Sequence, residues 1–269
     1  MYKNYWEMEY NPFQTKNNLK ETNTFESKDF INAKKRLEHL NKLGGIGLLT
    51  GLSGTGKTYA LKEFADNLNP SLYKTVYIPL STVTVLEFYK SLAYGLDLNP
   101  PSRKVDIFNA IKERLISLSS DQSKQCVIII DEAQYLRTGI LNDLKLLLNF
   151  EMDSKNYASL ILAGQPLLNN ILSKKVHEAL KQRIVMNYTF QGISKEEGKK
   201  YILDKIKESG VYHKIITDSA LEAIVSSGNG AIRKINSMVD KCLFIGSISN
   251  VKMIDTDIVM EAQNEIELI

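Results

Sequence analysis

The chain is poor in the features that place a protein outside the cell or in a membrane. Its 269 residues include only two cysteines, Cys126 and Cys242, both in apolar surroundings and neither at metal-ligand spacing. Structural thiols in a reducing compartment are therefore expected, not disulfides or a zinc site. Long apolar runs are missing as well. The longest uncharged stretch, which contains residues 157–173, is broken by Gln165, Pro166, Asn169 and Asn170, whereas a bilayer-crossing helix needs about 20 apolar residues. The opening MYKNYWEMEY has no apolar segment of the kind found in signal peptides. A soluble, cytoplasmic protein without a membrane partner is expected. Charge of one sign is lacking too, with 34 basic against 31 acidic residues and no charged tail. That balance neither requires nor excludes a nucleic-acid partner. Arginine is scarce: beside 28 lysines there are six, at 36, 103, 114, 137, 183 and 233. Against so lysine-rich a background, an arginine at a suggestive position is informative.

What remains is globular in character, 43% hydrophobic and 24% charged. Residues 1–24 are polar and Asn-rich, with Tyr2, Tyr5, Trp6 and Tyr10 leading to Asn11-Pro12-Phe13. They read as an extended lead-in that packs on a core. A helix over 27–43 places Phe30, Ala33, Leu37 and Leu40 on one face. Five apolar runs, at 46–51, 76–80, 126–130, 160–163 and 184–190, read as strands. They alternate with helical patterns at 57–68, 83–96, 105–118, 140–150 and 167–181. Such alternation, with an uninterrupted Cys126–Ile130 strand, predicts an α/β doubly wound parallel sheet covered on both faces. After Gln191 the strands stop, and 194–209, 218–226, 231–245 and 256–266 read as helices. Ser194 with Glu197 three residues on forms a capping box for the first of these. The expected organisation is a lead-in and helix over 1–45, a nucleotide-binding α/β core over 46–190, and a small all-helical lid over 191–269.

Gly51-Leu-Ser53-Gly54-Thr55-Gly56-Lys57-Thr58 matches the G-x-x-x-x-G-K-[ST] phosphate loop in full. Glycines let backbone N–H groups turn inward onto phosphate oxygens, and the helix that starts near Lys57 aims its positive end at them. Lys57 supplies charge to the β- and γ-phosphates of ATP, and the Thr58 hydroxyl is a ligand for Mg2+. Such a loop calls for an acid at the end of another buried strand. Asp131 and Glu132 follow the apolar run at 126–130. Asp131 would hold Mg2+ through water and Glu132 would act as general base on the attacking water. The alternative for the pair is a helix N-cap.

Three further residues fit an oligomeric ATPase. Gln165 ends the 160–163 strand, where such enzymes read the γ-phosphate; the alternative is an ordinary loop amide. Arg183 precedes the last strand, where an arginine of ring-forming ATPases reaches the neighbouring subunit's site; the alternative is a surface ion pair. Arg233 opens a lid helix in Gly230-Ala-Ile-Arg233, where it can fold back onto the phosphates and couple lid position to the nucleotide.

Taken together, the sequence resembles the AAA+ ATPases of the ExeA/TniB group over nearly its whole length. The resemblance rests on Tyr10-Asn-Pro-Phe13, the phosphate loop, Asp131-Glu-Ala-Gln-Tyr-Leu136, Leu144-Lys-Leu-Leu-Leu-Asn149, Leu162-Ala-Gly-Gln-Pro166, Gln182-Arg183-Ile184 and Gly228-Asn-Gly-Ala-Ile-Arg233. It implies a P-loop AAA+ core with a parallel five-stranded sheet and a helical lid, working as a homo-oligomeric ring or filament. One branch of that group serves secretion and carries a membrane span and a peptidoglycan-binding domain. The chain ends at Ile269 with neither, so the expectation is the branch of mobile elements, resembling MuB, IstB, TniB and TnsC. Those proteins bind duplex DNA as ATP-dependent oligomers and activate a DDE-type transposase. In them DNA lies along the assembly axis, which makes Arg103, Lys104, Lys145, Lys174 and Lys175 the candidate contacts, through phosphates rather than bases. A secretion-type assembly ATPase and a loader of replication proteins are the alternatives.

Overall fold

The computed structural model describes residues 2–14, 25–79, 83–147 and 157–267. Two compact units form: Phe30–Leu52 with Lys57–Phe190, and Met1–Asp29 with Ser53–Gly56 and Gln191–Ile269. Of the lead-in and helix expected over 1–45, residues up to Asp29 fall in the second of these units and those from Phe30 on in the first.

The larger unit is built on five strands: β1 (Gly45–Gly51), β2 (Tyr73–Ile78), β3 (Gln125–Ile130), β4 (Ala158–Gly164) and β5 (Ile184–Phe190). They pair in the order β2-β3-β4-β1-β5 and every pairing is parallel. Side chains alternate between the two faces of a strand, and the sequence supplies apolar residues for both. Ile128, Ile130, Leu160 and Leu162 pack on one side with α4 (Val85–Gly95), α5 (Lys104–Ser120) and α6 (Thr138–Leu147). Val127, Ile129, Ile161 and Ala163 pack on the other with Leu37 and Leu40 of α2 (Lys28–Leu43) and Leu61 and Phe64 of α3 (Lys57–Asp66). This is the continuous hydrophobic run of a parallel sheet buried twice over.

Two expectations for this unit need correction. Strand β2 begins at Tyr73 instead of 76, because it is an edge strand: Val76 and Ile78 are buried while Tyr77 is exposed, so polar Lys74 and Thr75 are tolerated. The expected ends of that strand at Leu80 and of the 140–150 helix lie outside the described residues. The single helix expected over 167–181 is broken into α7 (Leu167–Leu172), a 3₁₀ turn (Lys175–His177) and α8 (Glu178–Lys181). Ser173 donates its hydroxyl to the Asn170 carbonyl at 2.8 Å and Lys174 is extended; a local side-chain bond of this kind competes with the helical ladder.

The smaller unit contains α9 (Lys195–Glu208), α10 (Asp218–Gly228), α11 (Ile232–Ile248) and α12 (Thr256–Glu267). The capping box forms, with Ser194 Oγ accepting from the Glu197 N–H and Glu197 Oε2 accepting from the Ser194 N–H. The lead-in is not simply extended: Tyr2–Tyr5 make a short helix, α1. Trp6, Met8 and Phe13 then bury themselves among Ile202, Val239 and Leu243, and the Trp6 indole donates to the Leu243 carbonyl at 2.8 Å. Asp29 Oδ2 accepts from the N–H groups of both Gln191 and Gly192 at 2.8 Å, fixing the start of the helical segment. The lead-in therefore supplies core to the helical unit, a role its aromatic residues suit.

Candidate active site

Parallel pairing brings strand ends to one edge of the sheet. Thr50 pairs with Gly164 and Ile130 with Leu162, so the residues that follow, Gly51, Asp131 and Gln165, emerge side by side at the carboxyl ends. Open parallel sheets bind ligands at that edge.

Asp131 is buried and its carboxylate is fully engaged. Its Oδ2 accepts from Thr58 Oγ1 at 2.8 Å and from the Tyr77 phenol at 3.0 Å, and its Oδ1 accepts from the Glu132 N–H at 2.9 Å. Although Tyr77 as a residue is exposed, partial desolvation of its phenol and the adjacent Asp131 carboxylate push that phenol above its ordinary range, so it stays protonated and remains a donor. Thr58 and Asp131 thus present a hydroxyl and a carboxylate next to each other, the all-oxygen set that a hard cation such as Mg2+ takes.

Glu132 has a left-handed backbone, φ 51° and ψ 37°. That region is costly for a residue other than glycine and is characteristic of functional sites. Its Oε2 accepts from Gln134 Nε2 at 2.6 Å, and Gln134 Oε1 accepts from the Gln165 N–H at 3.0 Å. The Lys57 ammonium is buried, donating to the Gly51 and Leu52 carbonyls at 2.8 Å each.

Within the helical unit, loop residues Gly54 and Gly56 have φ of +81° and +99°, a conformation that glycine adopts without the strain a Cβ imposes. A Cβ on Gly54 would also stand 2.9 Å from Arg233 Cβ. The Arg233 N–H donates to the Gly54 carbonyl at 3.3 Å, and its guanidinium reaches Ser53 Oγ at 3.3 Å. Arg233 therefore lies against the phosphate-loop tip.

The other sequence-derived residues fall elsewhere. Arg183 precedes β5 at the amino-terminal edge, where Ile184 pairs with Ile46; Gly51, at the opposite end of β1, pairs with Phe190. Seven strand residues, about 20 Å, separate Arg183 from the start of its own phosphate loop. Its Nη1 donates to the Lys145 carbonyl at 3.0 Å. Of the candidate DNA contacts, Arg103 is tied to Asp106 at 2.8 Å and Lys104 to Asp143 at 2.5 Å, so both charges are already matched. Lys174 and Lys175 are exposed, and Lys145 is half-buried. Two contributors escaped the sequence reading. Gln134 lies within the quoted Asp131–Leu136 motif but carried no assigned chemistry, and Tyr77 has no local signal, being placed beside Asp131 only by the β2–β3 register.

Residues 40–172 match the family model of an AAA domain. The chain is 30% identical over 213 residues to General secretion pathway protein A of Aeromonas hydrophila, covering 77% of this chain and 39% of that protein. It is 34% identical over 103 residues to ATP-dependent target DNA activator B of Escherichia phage Mu, covering 38% of this chain and 30% of that protein. The chain thus spans well under half the length of these relatives. Among solved structures, Cdc6p from Pyrobaculum aerophilum matches with a TM-score of 0.69 at 17% identity, covering 94% of this chain and 70% of that one. The Aeropyrum pernix ORC1 protein in complex with DNA matches at 0.66 and 16%, covering 94% and 68%. At such identities these structures speak to the fold alone.

Proposed function

We propose, from the premise that the chain is an AAA+ ATPase of the ExeA and MuB group, that it hydrolyses ATP as a homo-oligomer assembled on duplex DNA and thereby activates a DDE-type transposase. The observation that carries hydrolysis is the Thr58–Asp131–Glu132 cluster at the sheet edge where β1 runs into the phosphate loop. Loop N–H groups and Lys57 bind the phosphates, Lys57 exchanging the Gly51 and Leu52 carbonyls for phosphate oxygens. Thr58 would ligate Mg2+ and Asp131 would hold it through water, and the ion when bound would offset phosphate charge. Glu132 takes a proton from water as the water oxygen bonds to the γ-phosphorus and the bond to the β–γ bridging oxygen breaks, giving ADP and phosphate. Gln165 contacts the γ-phosphate, Arg233 ties lid position to occupancy of the loop, and Arg183 serves a neighbouring copy. The DNA arm is supported by the likeness to a target DNA activator. Exposed Lys174 and Lys175 are its best-placed contacts among the five candidates. Arg103 and Lys104 would first have to give up Asp106 and Asp143.

A second reading, a secretion-type assembly ATPase acting on protein or cell-wall partners, is favoured by the longer match to the secretion protein. Among the described residues, no helix is long and apolar enough to cross a membrane. ATP hydrolysis and particle size measured together, with and without random duplex DNA at two salt concentrations, separate the two. DNA-stimulated turnover on ATP-dependent oligomers, with affinity falling steeply as salt rises, supports the transposition reading. No DNA binding in any nucleotide state would replace it with the secretion-type one.

A further inference from the structure

We propose that Gln134 is a positioning residue for hydrolysis, its side-chain amide holding the Glu132 carboxylate to the end of β4. The inference rests on the reading of Glu132 as general base. Gln134 is only 6% exposed, and both ends of its amide are used: Nε2 donates to Glu132 Oε2 at 2.6 Å, and Oε1 accepts from the Gln165 N–H at 3.0 Å. The two partners fix the orientation of the amide, since a carboxylate only accepts and a backbone N–H only donates. An ionised carboxylate in its place could not donate to Glu132, and no ammonium could accept from Gln165.

The surrounding backbone is shaped for this contact. The left-handed Glu132 followed by the 3₁₀ turn at Ala133–Tyr135 turns the chain so that the Gln134 side chain comes back to Glu132. At the other end, a Cβ on Gly164 would stand 2.4 Å from Gln134 Oε1, so the residue before Gln165 leaves room for the amide. The consequence is chemical. One oxygen of Glu132 is committed to a short, charge-assisted bond, which leaves Oε1 to take the proton from water. Because the same amide holds the backbone of Gln165, a shift of that strand end on contact with the γ-phosphate reaches Glu132 through two hydrogen bonds. The base is thereby set by the residue that meets the phosphate.

The test uses the full chain with Gln134→Met, which fills a similar volume without either bond, and Gln134→Glu, which can still accept from Gln165 but sets a second carboxyl group against Glu132 in place of the neutral amide donor. Each is made alone and with Glu132→Gln. Steady-state kcat and KM for ATP with Mg2+, equilibrium binding of a fluorescent ATP analogue, and thermal unfolding are measured. The expected result is a kcat lowered by about tenfold or more in both single variants, with KM and analogue binding within about twofold. In the Glu132→Gln background, Gln134→Met is expected to cost nothing further, since residues acting through one group are non-additive. A kcat within twofold of the parent in both single variants would overturn the proposal. So would a loss that multiplies with that of Glu132→Gln, which would make Gln134 merely structural. If Gln134→Met does not fold, Gln134→Glu carries the same comparison. If Glu132→Gln itself leaves turnover intact, the base assignment fails first, and Gln134 falls with it.

Discussion

At the scale of single residues, the reactive groups of this chain are set apart from the inert ones by what surrounds them. Cys126 and Cys242 are fully buried, and burial pushes both thiols up to about 12. The thiolate is the nucleophile, so neither should react at neutral pH. Iodoacetamide at pH 7.5 is expected to leave both unmodified in the folded chain and to label both in denaturant; labelling of either in the native state, read by mass spectrometry, would contradict that burial. The same scale shows what a sequence can convey. The meeting of Thr58 with Asp131 was legible because the phosphate loop and the strand-end acids are local patterns whose proposed chemistry dictates residue type. Tyr77 was not legible, since its bond to Asp131 depends on which strand neighbours β3 and in what register. Gln134 was visible as a letter of a motif, but its amide bridges residues 132 and 165, a relation between strands that no local window contains.

At the scale of elements, the capping box of α9 offers a direct measurement. Ser194 Oγ satisfies the Glu197 N–H, while Glu197 satisfies the Ser194 N–H with one oxygen and the Lys28 N–H with the other at 2.7 Å. Ser194→Ala removes one bond and is expected to cost about 1 kcal/mol. Glu197→Ala leaves two N–H groups without their acceptor and is expected to cost more, about 2 kcal/mol. Urea unfolding of the two variants should give that order, and equal midpoints would show the second bond to be immaterial. This box was readable because its spacing is fixed at three residues. The break at Ser173 was not, because periodicity continues through it: Leu168, Leu172 and Leu180 are all buried, while the backbone leaves the helix at extended Lys174 beside the local bond from Ser173 to Asn170. Strand β2 was misplaced for a related reason. An edge strand buries one face, so its start carries Tyr73, Lys74 and Thr75, residues that look like a loop when only apolar runs are counted.

At the scale of the whole molecule, the position of Arg183 decides how many chains make one site. The parallel register puts it at the amino-terminal edge of the sheet, roughly 20 Å of strand from where its own phosphate loop begins. An arginine so placed cannot offset charge developing in its own chain's nucleotide; if it contributes to hydrolysis, it does so for a neighbour, after releasing the Lys145 carbonyl. Arg183→Ala chains would then keep an intact loop and base but present no arginine, whereas Glu132→Gln chains would lack the base and present a normal arginine. Each alone is expected to bind ATP and to lose at least about tenfold in turnover. Mixed in equal amounts under assembling conditions, they form some interfaces in which an Arg183→Ala site meets the arginine of a Glu132→Gln neighbour. In a head-to-tail assembly with random incorporation, about a quarter of interfaces have that composition. Turnover per chain should therefore rise on mixing to a sizeable fraction of the parent rate. It should do so only at concentrations where oligomers form, as size measured on the same samples will show. A mixture no more active than the mean of its parts would place Arg183 in a purely structural role on Lys145 and would require each chain to complete its site alone.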